Sequence, residues 1–239
     1  MANKNFSNFL ILGIFIFAGL YALGYLLGSS AVKFRQLERS VTVKGLSERE
    51  MPADTAIWPI QFSCAADNLE QLYSKLSADS SMITDFLKRE GFGPNEITQG
   101  VPAIIDKLAQ QYSGNSRAPL RFTATQVLTV CSKKVGQVRS AMKKLSALGR
   151  KGIIFSGNNY DNRPEFIFSR LNEIKPAMIE EATKKAREVA RKFAADSGSR
   201  LGKIKRASQG QFSIRNRDKN TPYIKKIRVV STVEYYLAD

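Results

Sequence analysis

Histidine is absent from this chain of 239 residues. Its absence excludes Ser-His-Asp and Cys-His arrangements for nucleophilic catalysis, histidine-ligated zinc and a histidine general base. The two cysteines, Cys64 and Cys131, are too few for a structural zinc site built from cysteine alone. The sequence also lacks the G-x-S-x-G, Walker A, G-x-G-x-x-G, H-E-x-x-H and EF-hand patterns. We therefore expect no enzyme, no catalytic residue, no cofactor and no metal site.

Charge is absent from residues 9–27, which form an unbroken apolar, aromatic and glycine run. As a helix these nineteen residues would span about 28 Å, close to the thickness of a bilayer's hydrocarbon core. The apolar regions of signal peptides are typically shorter, about 7–15 residues. We therefore expect a retained transmembrane anchor over residues 9–28, preceded by a tail of residues 1–8. The alternative is a signal peptide cleaved near the small residues Ser29, Ser30 and Ala31.

The segment after this run is short and basic. Residues 29–39 carry Lys33, Arg35 and Arg39 against Glu38, and they read as a juxtamembrane linker. Positive residues flank the cytoplasmic end of membrane helices more often than the other end. Charge counting alone therefore gives a small preference for a cytoplasmic domain.

The rest of the chain has the composition of a folded domain with an excess of positive charge. Hydrophobic residues make up 43% and charged residues 24%, which is ordinary for a globular chain. The net charge of +16 implies attraction to an acidic partner, such as anionic lipid, nucleic acid or an acidic protein. A solvated surface that keeps the protein soluble would have the same composition.

Strand and helix patterns alternate after residue 39. Period-two alternation or β-branched runs predict strands at residues 39–44, 55–65, 96–105, 122–131, 153–155, 165–169, 203–214 and 223–237. Gly45 is expected to end the first strand, and Pro59 to place the second at an edge or a bulge. Loops are expected at residues 110–119, 157–164 and 215–222. The pattern predicts an α+β domain.

Apolar residues at helical spacing predict three helices in this part of the chain. The first is capped by Asp67 or Asn68 and ends at Gly91, and the second covers residues 135–148. The third covers residues 176–196, with Pro176 near its first turn. Its predicted buried stripe consists of Ile179, Ala182, Ala186, Val189 and Phe193.

A weak internal repeat relates residues 55–65 and the helix after them to residues 122–131 and the helix after them. In both copies a cysteine, Cys64 or Cys131, stands at the carboxyl end of the strand. If the two strands are neighbours, the thiols could come within disulfide distance. The alternative is two free thiols, because cysteine also behaves as a small apolar residue.

The order of elements resembles the SIMPL family, also called the domain of unknown function 541, which includes YggE-like periplasmic proteins. The resemblance rests on the alanine-rich helix with Ala182, Ala186, Ala190 and Ala194, followed by Gly198 and the sequence Leu201-Gly202-Lys203-Ile204. At the other end, Val41-Thr42-Val43-Lys44-Gly45 precedes Pro52, and Ala53 separates Pro52 from Asp54, where the family usually joins proline to aspartate directly. The resemblance covers residues 40–237, so residues 40–239 are interpreted as one SIMPL-like domain.

The resemblance implies an α+β domain of two similar halves, with mixed sheets and flanking helices. It also implies export to the periplasm or cell envelope and no defined catalytic residues. It also implies self-assembly, since at least one relative forms a large closed ring. A large domain translocates despite a small charge bias. We therefore expect a single-pass inner-membrane protein with its domain in the periplasm, or an exported periplasmic protein if the signal is cleaved.

Basic residues crowd the carboxyl-terminal region and form a candidate surface for an anionic partner. Its members are Lys203, Lys205, Arg206, Arg215, Arg217, Lys219, Lys225 and Lys226. Aromatic residues do not alternate with these charges as single-stranded nucleic-acid sites require, which argues against nucleic acid. The function expected from the sequence is a homo-oligomeric structural or interaction scaffold at the membrane. The alternative is a basic module that binds anionic lipid, nucleic acid or an acidic protein.

Overall fold

The N-terminal apolar segment is helical. The structure, a computed structural model, describes residues 2–37, 39–109, 120–156 and 162–238. Helix α1, Ala2–Leu37, contains the segment Leu12–Ser30, whose mean hydropathy is 1.8 and none of which is buried in the structure. This segment is long and apolar enough to cross a membrane, although a signal sequence meets the same criterion.

The remaining elements confirm the predicted α+β class. The strands are β1 (Ser40–Pro52), β2 (Thr55–Ala66), β3 (Ile97–Gln99), β4 (Ala103–Asp106), β5 (Phe122–Ser132), β6 (Ile154–Phe155), β7 (Glu165–Ile167), β8 (Arg200–Gln209), β9 (Ser213–Asn216) and β10 (Ile224–Ala238). The helices are α2 (Leu69–Arg89), a short 3₁₀ helix (Pro94–Glu96), α3 (Val135–Lys144), α4 (Ser146–Gly149) and α5 (Leu171–Asp196).

The chain divides into two compact units, each assembled from separate stretches of sequence. Unit 1 comprises Met1–Glu48, Lys175–Phe212 and Arg228–Asp239. Unit 2 comprises Arg49–Ile174 and Ser213–Ile227. Both copies of the predicted strand–helix repeat, β2 with α2 and β5 with α3, belong to unit 2.

The sheet of unit 2 is centred on β2 and β5. The strand order is β3-β5-β2-β6, with β4 also paired to β5 and β7 to β2. Strands β2 and β5 are antiparallel from Ala56 opposite Ser132 to Ala66 opposite Phe122. One face of the pair is buried in a single apolar cluster with α2, and the period-two alternation predicted this face. Its members include Trp58, Ile60, Phe62, Leu128, Val130, Leu72, Ile83 and Leu87.

Strand β2 is central and has no bulge at Pro59, but Pro59 itself stands where β2 has a partner on one side only, as a local edge position requires. The β2–β5 register passes through Pro59 opposite Thr129 without a shift. On its other side β2 pairs with β7 at residues 55–57 and with β6 at residues 62–63. Proline has no N–H to donate, and Pro59 lies between these two short pairings.

The start and end of α2 confirm the predicted signals. The side-chain oxygen of Asn68 accepts a hydrogen bond from the N–H of Gln71 at 2.8 Å, which satisfies one of the free donors of the first turn. Gly91 follows the helix with φ of 89°, a conformation that glycine adopts without strain.

Unit 1 contains most of α5 and parts of a four-stranded sheet with the order β1-β10-β8, to which β9 is added beside β10. Strand β1 runs through Gly45 instead of ending there. Helix α5 begins at Leu171, so Pro176 lies inside it and not near its first turn.

Several predicted elements are divided in the structure. Residues 96–105 form β3 and β4, residues 135–148 form α3 and α4, and residues 203–214 form β8 and β9. The predicted loop at residues 110–119 lies outside the described residues, as do residues 157–161 of the next one. The predicted strand at residues 223–237 is confirmed as β10.

Candidate functional site

Helix α5 contacts the backbone of β1 at Gly45, which fixes the layer structure of unit 1. A Cβ atom at position 45 would overlap the carbonyl oxygen of Ala182 and lie 2.6 Å from the backbone nitrogen of Ala186. Only glycine on the strand and small residues on the helix permit this distance. The helix buries residues at steps of four, namely Met178, Ala182, Ala186, Ala190 and Ala194.

The predicted apolar stripe of α5 is therefore wrong in part. Ala182 and Ala186 are fully buried, but Val189 is 38% exposed and Phe193 56% exposed. Hydrophobicity favoured the two large residues for the buried face. The close approach of the helix to β1 leaves room there for alanine only. The regular spacing of Ala182, Ala186, Ala190 and Ala194 was the sequence signal for this face.

Strand β8 is an open edge of the sheet. It pairs with β10, and among the described residues no strand pairs with its other side. Ala207 lies opposite Val233 and Ile204 opposite Tyr235, and directly opposed residues share a face of the sheet. Val233 and Tyr235 are buried with α5 in one cluster, whereas Ile204 is 42% exposed. The helix therefore covers β10 and leaves this part of β8 uncovered.

Three residues of the predicted basic surface lie on β8. Lys203, Lys205 and Arg206 are exposed. The Nζ of Lys205 lies 3.1 Å from Oε1 of Glu234, which also accepts a hydrogen bond of 2.6 Å from Ser40 Oγ. The bond from Ser40, followed by that from Lys205, lowers the pKa of Glu234. The edge strand is therefore basic, with one of its charges paired across to β10.

The other five predicted residues belong to unit 2, and one of them is buried. Arg215, Lys219 and Lys226 are exposed on β9, on the loop after it and on β10. Lys225 is only 9% exposed and donates a hydrogen bond to Asn216. Burial lowers the pKa of Lys225. Its assignment to an exposed anionic-partner surface is wrong, because the residue is buried and its amine is bound to Asn216.

Arg217 is engaged by two acidic residues and orders the loop between β9 and β10. Its guanidinium lies 3.4 Å from Glu50 and 3.1 Å from Asp218. The Asp218 carboxylate accepts hydrogen bonds from the side chain and backbone of Thr221 and from the backbone of Asn220. Together with Arg217, and led by the Thr221 hydroxyl, these bonds lower the pKa of Asp218 to about 2.

Cys64 and Cys131 are both free, so the proposed disulfide is not formed. Their strands are neighbours, as required, but the pairing is antiparallel. Cys64 lies opposite Ala124 and Cys131 opposite Ile57, at the two ends of the strand pair. Each residue of strand adds about 3.4 Å, so the thiols are far outside disulfide distance. Cys64 is buried and Cys131 is exposed.

The acidic residues near the sheets have structural partners. Asp54 accepts hydrogen bonds from the backbone and side chain of Ser169, and Asp106 is paired with Arg121 at 2.8 Å. Within the described residues, no three His, Cys, Asp or Glu side chains are grouped closely enough to hold a metal ion.

These observations define a class of protein: an α+β domain, with a basic open sheet edge, that follows an N-terminal helix able to span a membrane. A family model described as SIMPL, a protein of unknown function (DUF541), matches residues 41–234. The match covers most of the chain, and the protein belongs to the SIMPL family, as the sequence resemblance predicts. A search of curated proteins finds no match.

Proposed function

We propose that this SIMPL protein is a membrane-anchored, homo-oligomeric structural and interaction scaffold of the bacterial cell envelope. Helix α1 is the anchor, and the domain lies in the periplasm. The observation that carries the proposal is the open edge at β8, which presents unpaired backbone groups and exposed side chains along Arg200–Gln209. Such an edge is a template for pairing with another strand.

The partner strand in this proposal is β1 of a second copy. Strand β1 ends the order β1-β10-β8 on the opposite side from β8, and no described strand pairs with its outer edge. Pairing β8 with β8 would bring Lys203, Lys205 and Arg206 of two copies together, and like charges on adjacent strands repel. Strand β1 carries Glu48 and Glu50 beside Lys44 and Arg49, so its formal charges cancel and it does not repel β8 as a second β8 would.

A contact between different edges of identical subunits propagates from one copy to the next. It closes into a ring if the rotation allows, and otherwise it forms a filament. A ring is the closed form that we propose. Each added copy also contributes an α1 helix to the membrane, so weak single contacts are strengthened by avidity.

The edge contact is tested by placing a charge where a second strand would cover β8. Ile204→Lys should shift the detergent-solubilised full chain from an assembly towards the monomer in light scattering, because the new charge would be desolvated at the interface. Ile105→Lys is the matched control, since Ile105 on β4 is 45% exposed and Ile204 is 42% exposed. An assembly of unchanged mass with Ile204→Lys contradicts the proposed interface.

Membrane orientation is tested with the natural cysteines as reporters. Cys131 is exposed and Cys64 is buried, so a membrane-impermeant maleimide should modify Cys131 alone in the native protein. A periplasmic domain predicts labelling of intact spheroplasts, and Cys131→Ser should abolish it. Labelling that requires lysis of the spheroplasts would place the domain in the cytoplasm.

A second candidate function is binding of anionic lipid or an acidic protein by the basic residues. Lys203, Arg215 and Lys219 are exposed and form no ion pair with another residue of the described chain. Binding to vesicles that contain phosphatidylglycerol should weaken steeply between 50 mM and 200 mM salt, because exposed charges are screened. Absent or salt-insensitive binding rejects this candidate. Equivalent salt-dependent binding to DNA would favour nucleic acid instead.

The proposed scaffold role is non-catalytic. Its support is the absence of histidine from the sequence and of any recognisable nucleophile–base motif. Screening the purified protein against generic ester, phosphoester and peptide substrates tests it. Turnover that persists through repeated purification and disappears with the protein would overturn the proposal.

A further inference from the structure

A cavity of 330 Å³ lies in unit 2 between α3, β7 and the loop that joins β9 to β10. Helix α3 contributes Arg139, Met142 and Lys143, β7 contributes Phe166, and the loop contributes Asn220 and Tyr223. The volume is at the small end of the range for ligand cavities, about 300–1,000 Å³. It suits a ligand with one ring or a short branched chain.

The body of the cavity is apolar and held in place by the core. Phe166 is only 7% exposed, and its ring meets that of Tyr223 edge to face with centroids 6.1 Å apart. The backbone carbonyl of Tyr223 accepts a hydrogen bond of 2.8 Å from the N–H of Ala53, which fixes the residue to the connection between β1 and β2. Met142 is packed against the same core cluster. These contacts present a preformed apolar wall.

Two cations stand at this wall. The Cζ of Arg139 lies 3.4 Å from the ring centroid of Tyr223, so the guanidinium is stacked on the aromatic face. Stacking occupies the face of the guanidinium and leaves the N–H groups at its edge available to an acceptor. Lys143 lies one helical turn further along the same helix. Neither cation is paired with a carboxylate of the described residues.

The loop side of the cavity is also ordered before any ligand arrives. Asp218 accepts hydrogen bonds from the backbone N–H groups of Asn220 and Thr221 at 2.8 and 2.7 Å. These bonds hold Asn220, whose side-chain amide can supply a further donor. A rigid wall lowers the entropy lost on binding.

We propose that this cavity binds a small aromatic carboxylate. The ring is placed against Met142, Phe166 and Tyr223, and the carboxylate is bound by Arg139 and Lys143. Carboxylate fits the donors because guanidinium binds it through two parallel hydrogen bonds. The apolar wall disfavours inorganic phosphate, which has no apolar part to bury. This site belongs to unit 2 and does not depend on assembly through β8.

The experiment uses 4-fluorobenzoate as the probe and the full-length protein in detergent. Fluorine NMR should show saturable binding, and neutral 4-fluorobenzamide should bind at least about tenfold more weakly, because it lacks the charge that Arg139 and Lys143 recognise. Empty detergent micelles correct for partition of both probes. Absence of saturable binding, or equal binding of the amide, overturns the proposal.

Two variants locate the binding. Arg139→Gln and Lys143→Gln should each weaken the affinity for 4-fluorobenzoate about tenfold, in line with a lost charge-assisted hydrogen bond. Lys133→Gln is the control, because Lys133 is exposed and precedes α3 without lining the cavity. Lys143 is exposed, so its replacement tests the site even if Arg139→Gln impairs folding. Unchanged affinity in Lys143→Gln, or equal loss in Lys133→Gln, contradicts the assignment.

Discussion

At the scale of single residues, Gly45 is a point of close approach between a helix and a strand in unit 1. The backbone of α5 lies against this strand residue, and the helix presents Ala182 and Ala186 to it. Backbone-to-backbone contact excludes even a methyl group, because the opposing atoms cannot rotate away as a side chain would. Glycine is required at position 45 because there is no space for a Cβ atom between β1 and α5.

Gly45→Ala should lower the free energy of unfolding by about 2–3 kcal/mol, the usual cost of overpacking. Thermal and urea unfolding of the detergent-solubilised chain measure it. Gly136→Ala is the control, because nothing lies within 4 Å of a Cβ at that helical position. Its stability should be unchanged or slightly raised. Equal stability of the two variants would contradict the close packing of α5 on β1.

The low pKa of Asp218 predicts how the order of the loop between β9 and β10 depends on pH. Because the folded pKa is about 2 and the ordinary value is 3.8, ionised Asp218 favours the ordered loop above pH 3.8. That contribution is lost as the pH falls through 2. Carbon-13 NMR of the Asp218 carboxyl should show the low midpoint, and Thr221→Val should raise it by removing the largest contribution. Thr42→Val should leave it unchanged. A midpoint near 3.8 in the wild type would contradict the loop geometry.

At the scale of elements, the sequence predicts strands better than it predicts which helix face is buried. Period-two alternation identified β2, β5 and β10, because each has one face in a core. Assigning the buried face from hydrophobicity failed on α5. Val189 and Phe193 are more hydrophobic than alanine, but the alanines are the residues that α5 buries against the sheet. The distance between α5 and β1 decides which residues of the helix are buried, and this distance cannot be read from a single sequence.

Substitutions on α5 distinguish the alanine face seen in the structure from the stripe with Val189 and Phe193 that hydrophobicity predicted. Ala186→Leu should destabilise the chain by about 2–3 kcal/mol, because Ala186 is fully buried against β1. Phe193→Ser should cost less than about 1 kcal/mol, since Phe193 is 56% exposed. Urea unfolding compares them. If Phe193→Ser destabilised the chain more than Ala186→Leu, the buried face predicted from hydrophobicity would be correct instead.

The candidate site illustrates a similar limit at the element scale. The sequence correctly places basic residues on the strands that form β8 and β10, but it assigns Arg215 to a loop and not to β9. Charge density also does not distinguish an exposed lysine from Lys225, which is buried beside Asn216. The two cysteines show the same limit. The sequence suggested that their strands are neighbours, but it did not show that the strands are antiparallel, which places the two thiols at opposite ends. Pairing direction depends on contacts distant in sequence, and these follow only from the whole sheet.

At the scale of the whole molecule, an N-terminal helix of bilayer length precedes a SIMPL domain in which β1 and β8 are open edges of one sheet in the described residues. The helix satisfies the length requirement for an anchor, and the edges provide a means of self-association. If both act together, assembly would concentrate many helices in one patch of membrane. Anchoring and assembly would then reinforce each other through avidity.

Native mass spectrometry of the protein released directly from membranes tests this central claim. We expect a defined assembly whose mass is a whole-number multiple of 26.6 kDa, the mass of the 239-residue chain with α1 retained. Dissociation in the spectrometer should release that same chain mass. A monomer at micromolar concentration, or a chain shortened by cleavage near Ala31, would contradict it.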